Sequence, residues 1–239
     1  MKWSFPSNNN SDVSGIGNSG VETFQGTPLK SLAREICQNS LDAALKGKTV
    51  EVEFMPFALD VDEFPDAESL KDAFESSLDF WSVQSVKKAT DFFERAIKMM
   101  VSGAIPFLRI SDFNTTGLKG SKSEYNTPWC NLTKSSGASD KAGTSGGSFG
   151  IGKFAPFACS EFRTVFYSTL DTDNITAFQG ISRITSFRRK EDNEITIGVG
   201  YYGDDNNQPV YSQLKLDPNF KREKQQTGTD IFIAGFRFF

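Results

Sequence analysis

The sequence predicts an α+β layer sandwich, and three observations carry that reading. Residues 28–46 and 67–103 hold apolar side chains at helical spacing. Short alternating apolar runs sit between and after them. The resulting order is helix, strand, helices, strand, loop, helix and then a meander of strands, which suits one layered core.

Each element follows from local chemistry. Residues 1–26 are rich in Asn, Ser and Gly with few periodic apolars, and read as an N-terminal strap or mobile arm. A single domain over 27–239 follows. Thr27-Pro28 supplies a capping residue with Pro in the first turn, and Gly47 supplies a stop, which predicts a helix over 28–46. Val50-Glu-Val-Glu-Phe54 alternates as a strand does. Within 67–103, Phe74, Leu78, Trp81, Phe92, Phe93, Ile97 and Met100 are the core candidates of two helices. Phe107–Ser111 is a second strand that ends at Asp112. Asn114 to Ser148 turns polar and rich in Gly, Ser, Thr and Lys, the character of a functional lid or a disordered segment. A short helix after Gly152 precedes strands near 161–170, 175–187, 194–202 and 229–238. The terminal run from Ile231 to Phe239 is apolar with no closing turn, so the chain is expected to be the N-terminal part of a longer protein.

Composition excludes several chemistries. The chain has 239 residues, a net charge of −4 and no histidine. Ser-His-Asp and Cys-His catalysis, histidine metal sites and a phospho-accepting histidine are therefore absent. Three cysteines, Cys37, Cys130 and Cys159, show no paired metal-ligand spacing and suggest a reduced, cytoplasmic protein. No run reaches the roughly 20 apolar residues that span a bilayer, so no membrane partner is expected. The overall acidity argues against a wholly basic surface but does not exclude a local basic patch such as Arg183–Lys190, which otherwise reads as a solvated strand or hairpin.

Chemistry concentrates in three places. On the first helix, Glu35, Asn39 and Asp42 stand at i, i+4 and i+7 and share one face at about 100° per residue. With Ser31, Gln38 and Lys46 they form a polar stripe, while Leu29, Leu32, Ile36, Leu41 and Ala43–Leu45 suggest burial on most other sides. A base, a hard-cation ligand and a supporting acid on one rigid face suit metal-assisted hydrolysis. Asp112, at the end of a buried strand, is placed to accept from an exocyclic amine such as that of adenine. Gly143–Phe154 is dense in glycine, which lets backbone N–H groups approach a polyphosphate, and Lys153 could add a point charge there. The same stretch nearly fits a Walker A loop and a dinucleotide fingerprint. Both need a buried strand immediately upstream, where this chain has a polar loop.

In this order, the elements resemble the GHKL ATPase superfamily. Glu35-x-x-x-Asn39-Ser-x-Asp42-Ala is similar to its N-box, Asp112 with Gly117 to its adenine motif, and Gly147-Ser-Phe-Gly150-Ile-Gly152 to its phosphate loop. Gly228-Thr229 is similar to the late motif beside the adenine. The resemblance covers about residues 28–235. It implies a Bergerat fold: a two-layer sandwich with a mixed, mostly antiparallel sheet backed by helices, holding ATP under a lid formed by Asn114–Gly146.

By the same resemblance, Glu35 would be the base for the attacking water. Asn39 would ligate Mg²⁺ and Asp42 would support it. Asp112 would accept from adenine, with Gly117 and Thr229 beside it. Gly147, Ser148, Phe149, Gly150, Ile151, Gly152 and Lys153 would line the phosphates. The implied activity is ATP hydrolysis that closes the lid and drives homodimerisation. It would serve a larger protein with further C-terminal domains, acting on nucleic acid or in defence. A nucleotide sensor without turnover is the alternative, followed by histidine-kinase-type phosphotransfer, against which Glu35 argues. The chain departs from the family pattern at Asp112-Phe-Asn-Thr-Thr-Gly117, where the usual motif is Asp-x-Gly-x-Gly, and at Lys153.

Overall fold

Alternation along the central strands dictates a sheet with two apolar faces, and each face has recruited its own helices. The computed structural model describes residues 1–123, 125–135 and 151–237. In chain order the elements are β1 (Lys2–Ser4), α1 (Ser19–Glu22), α2 (Pro28–Asp42), β2 (Glu51–Asp60), α3 (Ala67–Val83), α4 (Lys87–Met100), β3 (Ala104–Phe113), α5 (Pro128–Thr133), α6 (Ala155–Ala158), β4 (Ser160–Leu170), β5 (Thr176–Arg183), β6 (Val199–Gly203) and β7 (Gly228–Phe236). The strands form one seven-stranded sheet in the order β1-β6-β5-β4-β7-β3-β2. Every pairing among them is antiparallel, where a mixed sheet was expected.

Phe107 of β3, Phe162 and Phe166 of β4 and Phe232 of β7 share one face and pack against Leu70, Phe74 and Trp81 of α3 and Phe92, Phe93 and Met100 of α4. The intervening residues Leu108, Ile110, Val165, Tyr167, Ile181 and Ile233 point the other way, onto Leu32 and Ile36 of α2 and Phe154 and Phe157 around α6. This is the period-two consequence of the pleat. It replaces the expected two layers with helix, sheet and helix. The physical reason is the α3–α4 hairpin between β2 and β3, whose apolar stripe is too large to leave in water. Each buried Phe or Leu contributes on the order of 2 kcal/mol. Trp81 also ties α3 down, its indole N–H donating to Thr185 Oγ1 (2.8 Å) and the Ser186 carbonyl (2.9 Å).

Several expected boundaries shift for identifiable reasons. Residues 1–26 are built into the fold as a strap: Trp3, Phe5, Ile16, Val21 and Phe24 are buried, and β1 pairs with β6. The first helix stops at Asp42 because β3's exit loop captures the chain. The Leu45 N–H donates to the Asn114 carbonyl (2.9 Å) and the Thr116 N–H to that of Ala43 (2.8 Å). Thr27 makes no side-chain cap, although Pro28 occupies the first turn. The strand expected over 194–202 shortens to β6, preceded by a turn in which Arg188 bridges to Ile195. Within the polar segment 114–135, α5 forms on Pro128, is capped by the Thr127 hydroxyl, and is anchored by the buried Trp129. Among the described residues, no helix is long and apolar enough to cross a membrane.

Candidate functional site

The α2 helix carries its polar stripe across a gradient of burial. Leu32, Glu35, Ile36 and Ser40 face inward, whereas Leu29 and Leu41 are exposed, so the expected burial on most sides is not found. Glu35 is 8% exposed, and Arg34 donates to its Oε1 at 2.8 Å. Its carboxylate lies directly against Gly152: a Cβ added there would stand 2.0 Å from Glu35 Oε2. Only glycine permits that approach. Asn39 and Asp42, farther along the same stripe, are exposed.

Asp112 is the knot of the site. Its Oδ2 accepts from Ser40 Oγ of α2 (3.0 Å). Its Oδ1 accepts from Thr115 Oγ1 (2.8 Å) and from the backbone N–H of Thr229 at the start of β7 (2.7 Å). Two carboxylate oxygens offer about four acceptor positions, so one position on Oδ2 remains for a further donor. Burial raises the carboxyl above its ordinary range, against the lowering by the Thr229, Thr115 and Ser40 hydrogen bonds and by the Arg222 charge. On the same face, Thr169 Oγ1 accepts from the Leu118 N–H (2.8 Å) and donates to the Gly228 carbonyl (2.9 Å). Gly117, at φ +66°, presses on Thr169 and the Leu170 carbonyl, where a side chain would clash at 2.7–2.8 Å and suffer left-handed strain.

Beneath this knot lies a network that sequence reasoning missed. Arg222 Nε and Nη2 clamp Asp230 (3.1 and 2.6 Å), and Nη2 also donates to the carbonyls of Asp112 (2.8 Å) and Thr229 (3.2 Å). The guanidinium therefore fixes the ends of β3 and β7 relative to each other. Ser40, Thr115 and Thr169 were also missed. Ser40 alone had a local signal, as the neighbour of Asn39.

The remaining expected residues divide. Ile151 packs with Leu32 and Ile36 in the α2-side core, next to the single 3-10 turn that contains Gly152 and Lys153. Lys153 is buried, and its ammonium donates to the carbonyls of Asn131 (2.9 Å) and Ser135 (2.6 Å). It closes the C-terminal end of α5. Desolvation, with the charge of Arg183, pushes it down to about 8. Pro156 falls in the first turn of α6, where it is tolerated. Gly147, Ser148, Phe149 and Gly150, with the part 136–146 of the expected lid, lie outside the described residues.

Thus α2, the end of β3, the start of β7 and the turn at Gly152 meet, with Glu35 at one end and Asp112 at the other. Among the described residues, no group of three or more His, Cys, Asp or Glu forms a metal cluster. Neither a family model nor a curated protein matches the chain's sequence.

Proposed function

We propose that this chain binds and hydrolyses ATP with Mg²⁺, as a GHKL-type module with a Bergerat-like site on the α2 face of its sheet. The observation that carries the reading is the Asp112 carboxylate. It is held by Ser40 and the Thr229 N–H and keeps one acceptor position for an exocyclic amine. Further support comes from Glu35, a carboxylate enclosed beside the glycine that ends the phosphate-loop sequence.

In this reading Asp112 accepts from the adenine amine, with Gly117 and Thr229 shaping the same end. Glu35 orients water and takes its proton. Asn39, an exposed carboxamide one turn away, fits a hard cation, with Asp42 in support. Bound Mg²⁺ would supply charge neutralisation at the phosphates. Lys153 holds α5 to the turn instead of serving as a free charge. Lid closure, an ATP-dependent homodimer and service to a larger protein acting on nucleic acid or in defence belong to the same proposal. A non-hydrolysing sensor has one observation in its favour, the Arg34 guanidinium held on Glu35.

The test is phosphate release and nucleotide binding by the protein, alongside Glu35→Ala. ATP binding is expected to survive the substitution while turnover is lost. No turnover by the wild type in its full-length context would leave the sensor reading. Equal affinity for GTP and ATP would sink the role given to Asp112.

A further inference from the structure

Four arginines are buried, and three have acidic partners. Arg109 pairs with Asp217 (3.0 Å), Arg163 with Glu22 (3.6 Å) and Arg222 with Asp230 (2.6 Å). Arg183, at the end of β5, has none among the described residues. It is 5% exposed, and its Nε is enclosed without an acceptor. Its guanidinium lies over the rings of Phe154 (5.1 Å) and Phe157 (5.4 Å), which offset only part of the lost hydration. Arginine does not shed its proton in a protein, so burial leaves a charge that needs an anion. Lys153, whose ammonium donates to the backbone carbonyls of Asn131 and Ser135, interacts with Arg183 as a like charge and adds to the positive field.

Arg183 also lines a cavity of about 500 Å³ between the N-terminal strap and the β5–β6 region. Its walls combine polar strap residues, Ser14, Asn18 and Ser19, with the apolar side chains of Ile151, Ile184 and Val199. That volume lies within the range of about 300–1,000 Å³ typical of small-molecule sites. Neither Glu35 nor Asp112 lines it.

We infer that this cavity binds a small organic oxyanion, a carboxylate or a phosphate. The acidic head pairs with the Arg183 guanidinium, and the apolar body rests on Ile151, Ile184 and Val199. Arginine is suited to the head because its planar fork matches two oxygens at once. The cavity adjoins the proposed nucleotide site through Ile151, which also belongs to the phosphate-loop sequence, but the inference is carried by Arg183 and does not rest on that reading.

The side-chain Nε–H resonances of arginine test this directly in the wild-type protein. Benzoate and phenyl phosphate are titrated separately, with Arg183 assigned by its loss in Arg183→Lys. A saturable shift of the Arg183 resonance is expected, with those of Arg109 and Arg222 unmoved because their partners are in place. A response to benzoate alone assigns a carboxylate ligand, and one to phenyl phosphate alone an organophosphate. Responses to both mean that the oxyanion head is selected. No saturation by either up to about 10 mM, weaker than ordinary small-ligand affinity, overturns the proposal. So does an equal shift at all the buried arginines. Arg183→Met should weaken the responding probe at least about 30-fold, the loss expected for removing one partner of a buried charge pair.

Discussion

Replacing Gly152 with alanine displaces Glu35 without touching its chemistry. The new Cβ would stand 2.0 Å from Glu35 Oε2 and 2.9 Å from Cδ, so the carboxylate must retreat by roughly 1 Å or more to reach ordinary contact. The obstacle is the far end of a side chain, which can move. Gly152 lies outside the left-handed region, so alanine meets no backbone strain. Removing glycine's freedom from the unfolded chain contributes about 0.4–1 kcal/mol in favour of folding. Disturbing the Arg34–Glu35 pair, whose arginine is largely exposed, costs about 0–1 kcal/mol against it. Net stability should therefore change by less than about 1 kcal/mol.

Turnover should fall much further, because a misplacement of about 1 Å in a reacting group costs on the order of 100-fold. The assays are steady-state phosphate release, ATP binding and thermal unfolding of Gly152→Ala beside the wild type. Unchanged ATP affinity and Tm with turnover down about 100-fold is the expected pattern. In an Glu35→Ala background the same substitution should add nothing, the signature of two residues acting through one contact. Wild-type turnover in Gly152→Ala would refute the assignment of Glu35 as base. Unfolding would show that the contact is structural.

Three further outcomes follow from buried charge. Arg222→Met strands Asp230, and both side chains are 3% exposed, so denaturant unfolding should report a loss of about 3–5 kcal/mol. Asp112 titrates above its ordinary 3.8 in the fold, so the unfolded chain ionises first. Its contribution is complete below that value and declines as pH rises, and Asp112→Asn should remove this decline from the pH series of urea midpoints. Lys153 is the opposite case, at about 8 in the fold against 10.5 ordinarily. Between those values the unfolded chain holds more protons, so stability should rise with pH across the window, and Lys153→Met should flatten the rise.

Short-range signals were sufficient for much of this molecule. The helix from Pro28, the pair of helices in 67–103 and the strands near Phe107 and Val165 each announce themselves through a turn residue or a periodicity within a few residues. The second helical layer did not, because periodicity shows that a helix has an apolar stripe and not which face of a sheet receives it. Nor did β1: three residues alternate too briefly to signal a strand until Tyr202 is there to pair with Trp3. The polar run holding α5 looked structureless because its few inward-facing residues, Trp129, Cys130, Leu132 and Thr133, are set among Asn, Thr and Lys. At the site, the residue types were legible while their partners were not. The Ser40–Asp112 bond spans 72 residues and the Thr229–Asp112 bond 117, and the latter uses a backbone N–H that any non-proline residue supplies.

The Ser40 hydroxyl gives the site its internal logic. Ser40 follows Asn39 directly and lies five residues after Glu35, so it shares their rigid turns of α2. Its hydroxyl donates to Asp112 Oδ2, the same oxygen that retains an acceptor position. A donor arriving at Oδ2 therefore shares that oxygen with a bond anchored in α2. Oδ1 is already committed to Thr115 and to β7 and is the firmer half of the carboxylate. In the proposed function, adenine meets the one oxygen tied to the helix that also carries the base and the cation ligand. In that reading the amine-accepting carboxylate and the base are joined through one helix and one serine hydroxyl.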